Sequence, residues 1–208
     1  MVDALPVARS ELILGGQRSG KSARAERLAA QWLAQSPAHS AVLLATGQAY
    51  DDEMRARIAR HQADRAVRVS SMRTVEEPLN LTQTLAAHST PTTLIVVDCL
   101  TLWLTNLLMP HAPASSIQTA FSGINNDENS PVTQVNPAQP AMFLRAIEAA
   151  KGPVIIVSNE IGLGVIPMGR EVRVYVDALG RLNQDIASVC SRVTFMAAGL
   201  PLFLKDSA

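Results

Sequence analysis

The sequence has few cysteines, few aromatic residues and no excess of charge of either sign. Of its 208 residues only two are cysteines and 4% are aromatic, while 18 Lys and Arg residues balance 18 Asp and Glu residues. Cys99 and Cys190 lie outside any C-x-x-C pair, which argues against a disulfide framework and indicates a reducing compartment, the cytoplasm. The neutral balance gives no support for a nucleic-acid partner, because such partners need basic grooves.

The sequence also lacks a long apolar run and a tandem repeat. No stretch reaches the roughly 18 apolar residues of a membrane span, and Met1 to Pro6 show no basic segment followed by an apolar core. We therefore expect a soluble, unexported protein with no membrane span. With 48% hydrophobic residues and few aromatics, the core of a single domain over residues 1–208 should be aliphatic. Residues 110–140 are polar and rich in proline, and they predict a surface excursion.

A glycine-rich motif follows the first apolar run. Residues 12–14 are Leu-Ile-Leu, and Gly15 to Ser22 then match the pattern G-x-x-x-x-G-K-S ahead of a helical stretch. Glycines let the backbone close around a phosphate, so that amide groups and the N-terminus of the helix point at the anion. In this motif the lysine, Lys21, reaches the β and γ phosphates and the hydroxyl of Ser22 ligates Mg²⁺.

Apolar runs and helical periodicity predict the order of elements. Buried strands are predicted at 11–14, 41–47, 94–98 and 154–157, with a possible short strand at 67–72 and a terminal hairpin at 192–199 and 201–205. Helices are predicted at 23–33, 51–62, 78–87, 103–108, 141–150 and 170–189, with Thr74 as a candidate cap of the third. The order indicates an α/β fold with a mostly parallel sheet, helices on both faces and an antiparallel edge hairpin.

The polar ends of the predicted strands point to one site. In such sheets ligands bind at the carboxyl ends of the strands, where Gly15 to Ser22, Thr46 with Gly47, Asp98, and Ser158 to Glu160 would meet. Asp98 closes an apolar run, as an acid that holds Mg²⁺ or its water does in nucleotide-binding proteins. A strand-end Asp that caps the next helix is the alternative, but the phosphate loop in the same chain favours the metal role.

A phosphate loop and an acidic strand end indicate binding of a nucleoside triphosphate with Mg²⁺. A small-molecule kinase, an ATPase or GTPase acting as motor or switch, and a nucleotidyltransferase all remain open. Neutral charge disfavours a nucleic-acid motor, and a GTPase switch would be expected to carry an N-K-x-D motif, which the sequence lacks. The kinase class agrees best with these residues.

His61 adds a possible second chemistry. A neutral imidazole can attack an α-phosphorus and form a phosphoramidate that a second acceptor opens, and Arg57, Arg60 and Arg65 would neutralise phosphate charge nearby. Considered from the residues alone, however, a histidine near the C-terminal end of a helix is more often an exposed partner of the helix dipole.

Several separated blocks resemble the bifunctional adenosylcobinamide kinase/adenosylcobinamide-phosphate guanylyltransferase family of cobalamin biosynthesis. The G-G-x-R-S-G-K-S form of the loop is joined by N-E-I-G-L-G-V-I-P from Asn159 and G-R-L-N-Q from Gly180. Further matching blocks are Ala45-Thr-Gly, Asp51-Asp-Glu-Met with His61, Arg73-Thr-Val-Glu, and Asp98-Cys-Leu-Thr with Thr105-Asn-Leu-Leu.

The resemblance implies a RecA-like P-loop NTPase fold, a homotrimer, and two reactions. Adenosylcobinamide is phosphorylated by ATP or GTP, and GMP from GTP is then transferred to adenosylcobinamide phosphate. It also implies that His61 carries the GMP, which reverses the interpretation from the residues alone, and that Lys21 is catalytic and Ser22 and Asp98 hold Mg²⁺. The implied nucleotide contacts are Gly15, Gly16, Gln17, Arg18, Ser19, Gly20, Lys21, Ser22, Ala45, Thr46, Gly47, Gln62, Ala63, Asp64, Arg65, Glu76 and Asp98.

Two alternatives remain at this point. One is a plain P-loop kinase of a small molecule in which His61 is inert, and the other is a nucleotide-binding regulator without catalysis.

Overall fold

A computed structural model describes residues 6–49, 51–108, 138–164 and 167–207 of the chain. Strands in this part are β1 Ser10–Gly15, β2 Ser40–Ala45, β3 Arg73–Glu76, β4 Thr93–Asp98, β5 Val154–Val157, β6 Arg192–Ala197 and β7 Leu200–Asp206. Helices are α1 Lys21–Gln35, α2 Asp52–Arg68, α3 Leu81–His88, α4 Leu100–Leu108, α5 Ala138–Ala149 and α6 Arg170–Val189, with a 3-10 turn at Ile161–Leu163.

The strands form one seven-stranded sheet in the order β3-β2-β4-β5-β1-β6-β7. The pairs β1 with β5, β1 with β6, β2 with β3, β2 with β4 and β4 with β5 are parallel. Only the last pair, β6 with β7, is antiparallel. The predicted mostly parallel sheet with a C-terminal antiparallel edge hairpin is therefore confirmed.

The sheet carries a core on each face, because successive side chains of a strand point to opposite sides. Leu12, Leu44 and Ile156 pack on one face with residues of α3, α4, α5 and α6, among them the fully buried Trp103 and Phe143. Ile13 and Val96 pack on the other face with α1 and with the residues that follow α2. Both cores are mostly aliphatic, as the composition predicts.

The segment between α2 and α3 differs from the prediction. The possible strand at 67–72 is wrong, since α2 runs on to Arg68 and the strand is Arg73–Glu76. Thr74 belongs to that strand and caps no helix; Asn80 is the N-cap residue of α3. The strand propensity of Val67 and Val69 misled the prediction. Val69 is buried, but it lies at the C-terminal end of α2 and not in a strand.

Other bounds shift by a few residues. Helix α4 begins at Leu100 and α5 at Ala138, three residues before each predicted start. The excursion predicted at 110–140 lies outside the described residues except for 138–140, which open α5. Among the described residues, none of the helices combines the length and the apolar character needed to cross a bilayer.

Glu77 organises the turn that the prediction missed. Its carboxylate accepts hydrogen bonds from the backbone N–H groups of Leu79 and Asn80 at 3.0 and 2.7 Å and from the Thr84 hydroxyl at 2.9 Å. Partial burial raises the pKa of Glu77, but these hydrogen bonds outweigh burial and leave that pKa below its ordinary value. The charged form is thus favoured in the folded state.

The substitution Glu77→Gln should lower the free energy of unfolding at pH 7 by about 1 kcal/mol, because charge-assisted hydrogen bonds are lost. A carboxyl group whose pKa is depressed by folding contributes stability above its unfolded pKa and loses it as pH falls through the folded pKa. The difference between wild type and variant should therefore vanish in acid. Urea unfolding at pH 7 and in acid checks this, with the exposed neighbour Glu76→Gln as control. A difference that persists in acid would contradict the assignment.

Candidate nucleotide site at the carboxyl edge of the sheet

The loop between β1 and α1 has a backbone that requires glycine at two positions. Gly15 and Gly20 have φ angles of 148° and 102°, and a Cβ at Gly15 would lie 2.5 Å from the carbonyl oxygen of Met196. A Cβ at Gly20 would lie 3.2 Å from the Cα of Gly199. The loop is therefore pressed against the β6–β7 turn on one side, while at Gly16 no atom of the described residues lies within 4 Å of the Cβ position.

Polar groups of the loop are arranged around its opening. The Lys21 ammonium donates a hydrogen bond to the carbonyl oxygen of Gly16 at 2.6 Å, so that the lysine side chain lies along the loop. The hydroxyl of Ser19 is buried and has no hydrogen-bond partner among the residues that the structure describes. Since buried polar groups are nearly always satisfied, this hydroxyl and the open backbone beside Gly16 suit a loop that takes up a phosphate.

Ser22 and Asp98 meet across two elements. Ser22 lies in the first turn of α1, Asp98 ends β4, and the Ser22 hydroxyl donates a hydrogen bond to Asp98 Oδ2 at 2.8 Å. A hydroxyl and a carboxylate beside a phosphate loop are oxygen donors of the kind that Mg²⁺ prefers. Among the described residues no group of three or more His, Cys, Asp and Glu side chains forms a metal site, so phosphate oxygens and water would complete the coordination.

The strand register places the predicted rim residues side by side. Glu76 of β3 pairs with Ala45 of β2, and Ala45 pairs with Asp98 of β4. Asp98 in turn pairs with Val157 of β5, which precedes Ser158. The carboxyl ends of the strands thus share one edge with the loop.

Thr46 and Cys99 are joined at this edge. The Thr46 hydroxyl donates to the carbonyl oxygen of Cys99 at 2.7 Å and accepts from the Cys99 N–H at 2.9 Å. Burial, aided by the negative charge of Asp98, raises the pKa of Cys99 to about 11. Burial likewise raises the pKa of Cys190 to about 12. Both cysteines are free thiols and stay protonated at neutral pH, so neither is a ready nucleophile.

Predicted contacts on α2 lie beside the loop helix. His61, Gln62 and Ala63 are exposed, and the side chain of Asp64 lies outside the described part. Arg65 Nε lies 3.9 Å from Glu26 Oε1 on α1, and Arg68 forms a 2.7 Å ion pair with the same carboxylate. The structure therefore brings Gly15 to Ser22 together with Asp98, and joins α2 to α1 one turn beyond His61.

Sequence reasoning missed a buried polar network behind this edge. The amide of Asn106 donates to the carbonyl oxygens of Thr46 and Pro78 at 2.9 and 3.0 Å. Asn183 accepts from the Ser158 hydroxyl at 2.7 Å and donates to the carbonyl oxygen of Asn159 at 3.0 Å. A lone asparagine on an otherwise apolar helix face was the signal, since such a residue must find partners when buried.

The substitution Asp98→Asn should raise the Mg²⁺ concentration needed for half-maximal nucleotide binding by roughly tenfold, because the amide keeps the shape but loses the charge. Titration of Mg²⁺ against a fluorescent GTP analogue measures this. The control is Glu148→Gln, which removes an exposed carboxylate from α5. An unchanged Mg²⁺ requirement in Asp98→Asn would exclude the carboxylate from the metal site.

The parallel sheet, the glycine loop and the Ser22–Asp98 contact define an α/β protein of the P-loop NTPase class. A solved structure of a Pyrococcus horikoshii protein is similar in fold, with a TM-score of 0.50 and 9% identity over 98% of this chain and 89% of that one.

The family model described as cobinamide kinase / cobinamide phosphate guanyltransferase matches residues 11–204, and the chain belongs to this family. It is 45% identical over 196 residues to the bifunctional adenosylcobalamin biosynthesis protein CobP of Pseudomonas aeruginosa, covering 94% of this chain and 96% of the relative. It is 30% identical to the bifunctional protein CobU of Escherichia coli, covering 93% of this chain and 98% of that relative. The chain is thus a bifunctional kinase and guanylyltransferase, which confirms the resemblance seen in its motifs and excludes the regulator.

Proposed function

We propose that this protein phosphorylates adenosylcobinamide with a nucleoside triphosphate, and then transfers GMP from GTP to adenosylcobinamide phosphate through a GMP adduct of His61. The observation that carries the proposal is the junction of the glycine loop, Ser22 and Asp98 at the rim of the sheet. This junction offers backbone amides, a lysine and two oxygen ligands to a triphosphate with Mg²⁺.

In the kinase step the loop and Lys21 would hold the β and γ phosphates. The substrate hydroxyl forms a bond to the γ-phosphorus and releases its proton to water, the bond from that phosphorus to the bridging β,γ-oxygen breaks, and the nucleoside diphosphate leaves. Mg²⁺ held by Ser22 and Asp98 would neutralise negative charge on the phosphates. The side chains mainly bind and orient, since phosphoryl transfer depends on positioning and on charge.

In the guanylyl step an unprotonated nitrogen of His61 would attack the α-phosphorus of GTP. A P–N bond forms, the bond to the α,β-bridging oxygen breaks, and pyrophosphate leaves. A phosphate oxygen of the corrinoid substrate then attacks the same phosphorus, the P–N bond breaks, and His61 regains its free ring. The product is adenosylcobinamide-GDP.

The packing of α2 on α1 supports this role for His61. Both helices lead from the carboxyl end of one parallel strand to the amino end of the next, so they run in the same direction. Arg65 contacts Glu26, and one helical turn earlier along each helix stand His61 and Ser22. His61 is exposed, which leaves its ring accessible to a nucleotide in the loop.

We also propose a homotrimer. Between β5 and the first turn of α6 the chain exposes the apolar side chains of Leu163, Met168 and Val172, by 73%, 96% and 50%, and exposed apolar surface favours a subunit interface. The mass from light scattering should be three times that of the chain, and a monomer would contradict the trimer.

The cytoplasm supplies both nucleotides and is the proposed compartment.

Incubation with GTP labelled at the α-phosphate should give a protein-bound GMP that is labile in acid and stable in alkali. The label should disappear in His61→Ala and persist in His88→Ala, a partly buried histidine that ends α3 and lies beside Arg73. Transfer of γ-phosphate to cobinamide should survive in both variants.

The other outcomes separate the alternatives. A label that persists in His61→Ala would assign the GMP to another side chain. Transfer of γ-phosphate without any adduct in the wild type would contradict the GMP adduct of His61 and support the kinase step alone.

A further inference from the structure

The turn of the C-terminal hairpin contacts the phosphate loop directly. The N–H of Gly199 donates a hydrogen bond to the carbonyl oxygen of Ser19 at 3.0 Å. The Cβ positions of Gly15 and Gly20 face backbone atoms of Met196 and Gly199 at 2.5 and 3.2 Å. The hairpin therefore contacts the loop at both of its ends, Gly15 and Gly20.

A second link joins the body of the hairpin to the strand and helix that flank the loop. Glu11 of β1 and Arg24 of α1 form an ion pair at 2.8 Å, with side-chain exposures of 0% and 1%. From β6, the Thr194 hydroxyl donates to the same carboxylate at 2.7 Å and Arg192 lies 3.7 Å from its other oxygen. The ring of Phe203 on β7 covers the guanidinium group of Arg24 at 5.3 Å from the ring centroid.

We propose that this hairpin sets the position of the phosphate loop, and that Gly199 and Phe203 are positioning residues for nucleotide binding. The inference rests on the proposed function, in which the loop binds the triphosphate. Within the loop one backbone hydrogen bond, from Ser19 N–H to the Gly16 oxygen at 3.3 Å, supports its shape. The direction of the amide groups therefore depends on neighbours, and a binding constellation tolerates displacements of only about 0.5 Å.

The two residues act on different parts of the loop. Gly199 has a φ of 80°, and no atom of the described part of the chain lies within 4 Å of its Cβ position, so that Gly199→Ala strains the turn without a clash against these residues. Phe203 acts through Arg24, which lies one turn below Lys21 on α1. Removal of the ring exposes the buried ion pair to water on that side, which weakens the hold of α1 on β1.

The experiment measures the Kd of a fluorescent GTP analogue with Mg²⁺, well below the unfolding temperature of each variant. Gly199→Ala and Phe203→Leu should each raise this Kd roughly three- to tenfold, as strain and a lost cation–π contact are partly expressed in binding. The KM for the nucleotide should rise with it, while the KM for the corrinoid and kcat stay near wild type. Phe203→Tyr keeps the ring and should restore the affinity.

The matched control is Leu202→Ala on the same strand, where the side chain is 59% exposed. It removes apolar surface next to Phe203 without touching Arg24, so that it should change thermal stability but not the Kd. If Phe203→Leu binds the nucleotide like wild type, or Leu202→Ala loses the same affinity, the inference is overturned. If wild-type protein itself binds no nucleotide, the proposed function fails and the inference fails with it. If Gly199→Ala does not fold, Phe203→Leu decides alone.

Discussion

The hydrogen bond from Ser22 to Asp98 joins the phosphate loop and its helix α1 to the end of β4, and the order of the strands makes this contact possible. β1 and β4 are not neighbours in the sheet, because β5 lies between them. The loop helix must therefore start above β5 for its first turn to meet the end of β4 at 2.8 Å. Parallel strands that end at one edge, with α1 crossing over them, give this geometry directly.

Behind the loop the chain buries charged side chains at positions where apolar residues would cost less free energy of desolvation. Taking Glu11, Arg24 and Arg192 out of water carries a large desolvation penalty, and such groups are weak evidence for stability in themselves. Their contribution here is to orientation, because the ion pairs and the Thr194 hydrogen bond fix β1, α1 and the C-terminal hairpin relative to one another. Arg192 also pairs with Asp206 at 3.1 Å, which extends the cluster to the end of β7.

The sequence predicted those elements whose signal is strong and local. The four buried strands are apolar runs, and the glycine loop could be recognised because its backbone conformation restricts the residue types. β3 was missed because Arg73–Glu76 is a short edge strand with mostly exposed residues, which lacks the apolar pattern of its neighbours. Helix α3 was misplaced because its turn is held by Glu77, an acid that precedes the helix by several residues.

The residues of the phosphate loop and the strand end could be predicted from the sequence, but the buried hydrogen bonds behind them could not. The types and spacing of Gly15 to Ser22 and the strand end at Asp98 carry the chemistry of nucleotide binding, so they could be found from the residues. The role that we propose for His61 rests on the family resemblance, because the residues around it do not distinguish a nucleophile from an exposed histidine. Asn106 and Asn183 bond to backbone oxygens that are distant in the chain, and such partners become known only from the structure.

The two reactions that we propose at one loop would require a triphosphate held in one place and attacked at two phosphorus atoms. In the proposed function the loop, Lys21 and the Ser22–Asp98 pair would surround the end of the nucleotide that carries the β and γ phosphates. The α-phosphorus would then lie farther out, on a side that elements other than the loop must reach. α2 is fixed to α1 by Arg65 and Arg68 near its C-terminal end, so its preceding turns extend toward the carboxyl edge of the sheet. A nucleophile on those turns would meet the α-phosphorus without displacing the groups that hold the γ-phosphate, and His61 stands there.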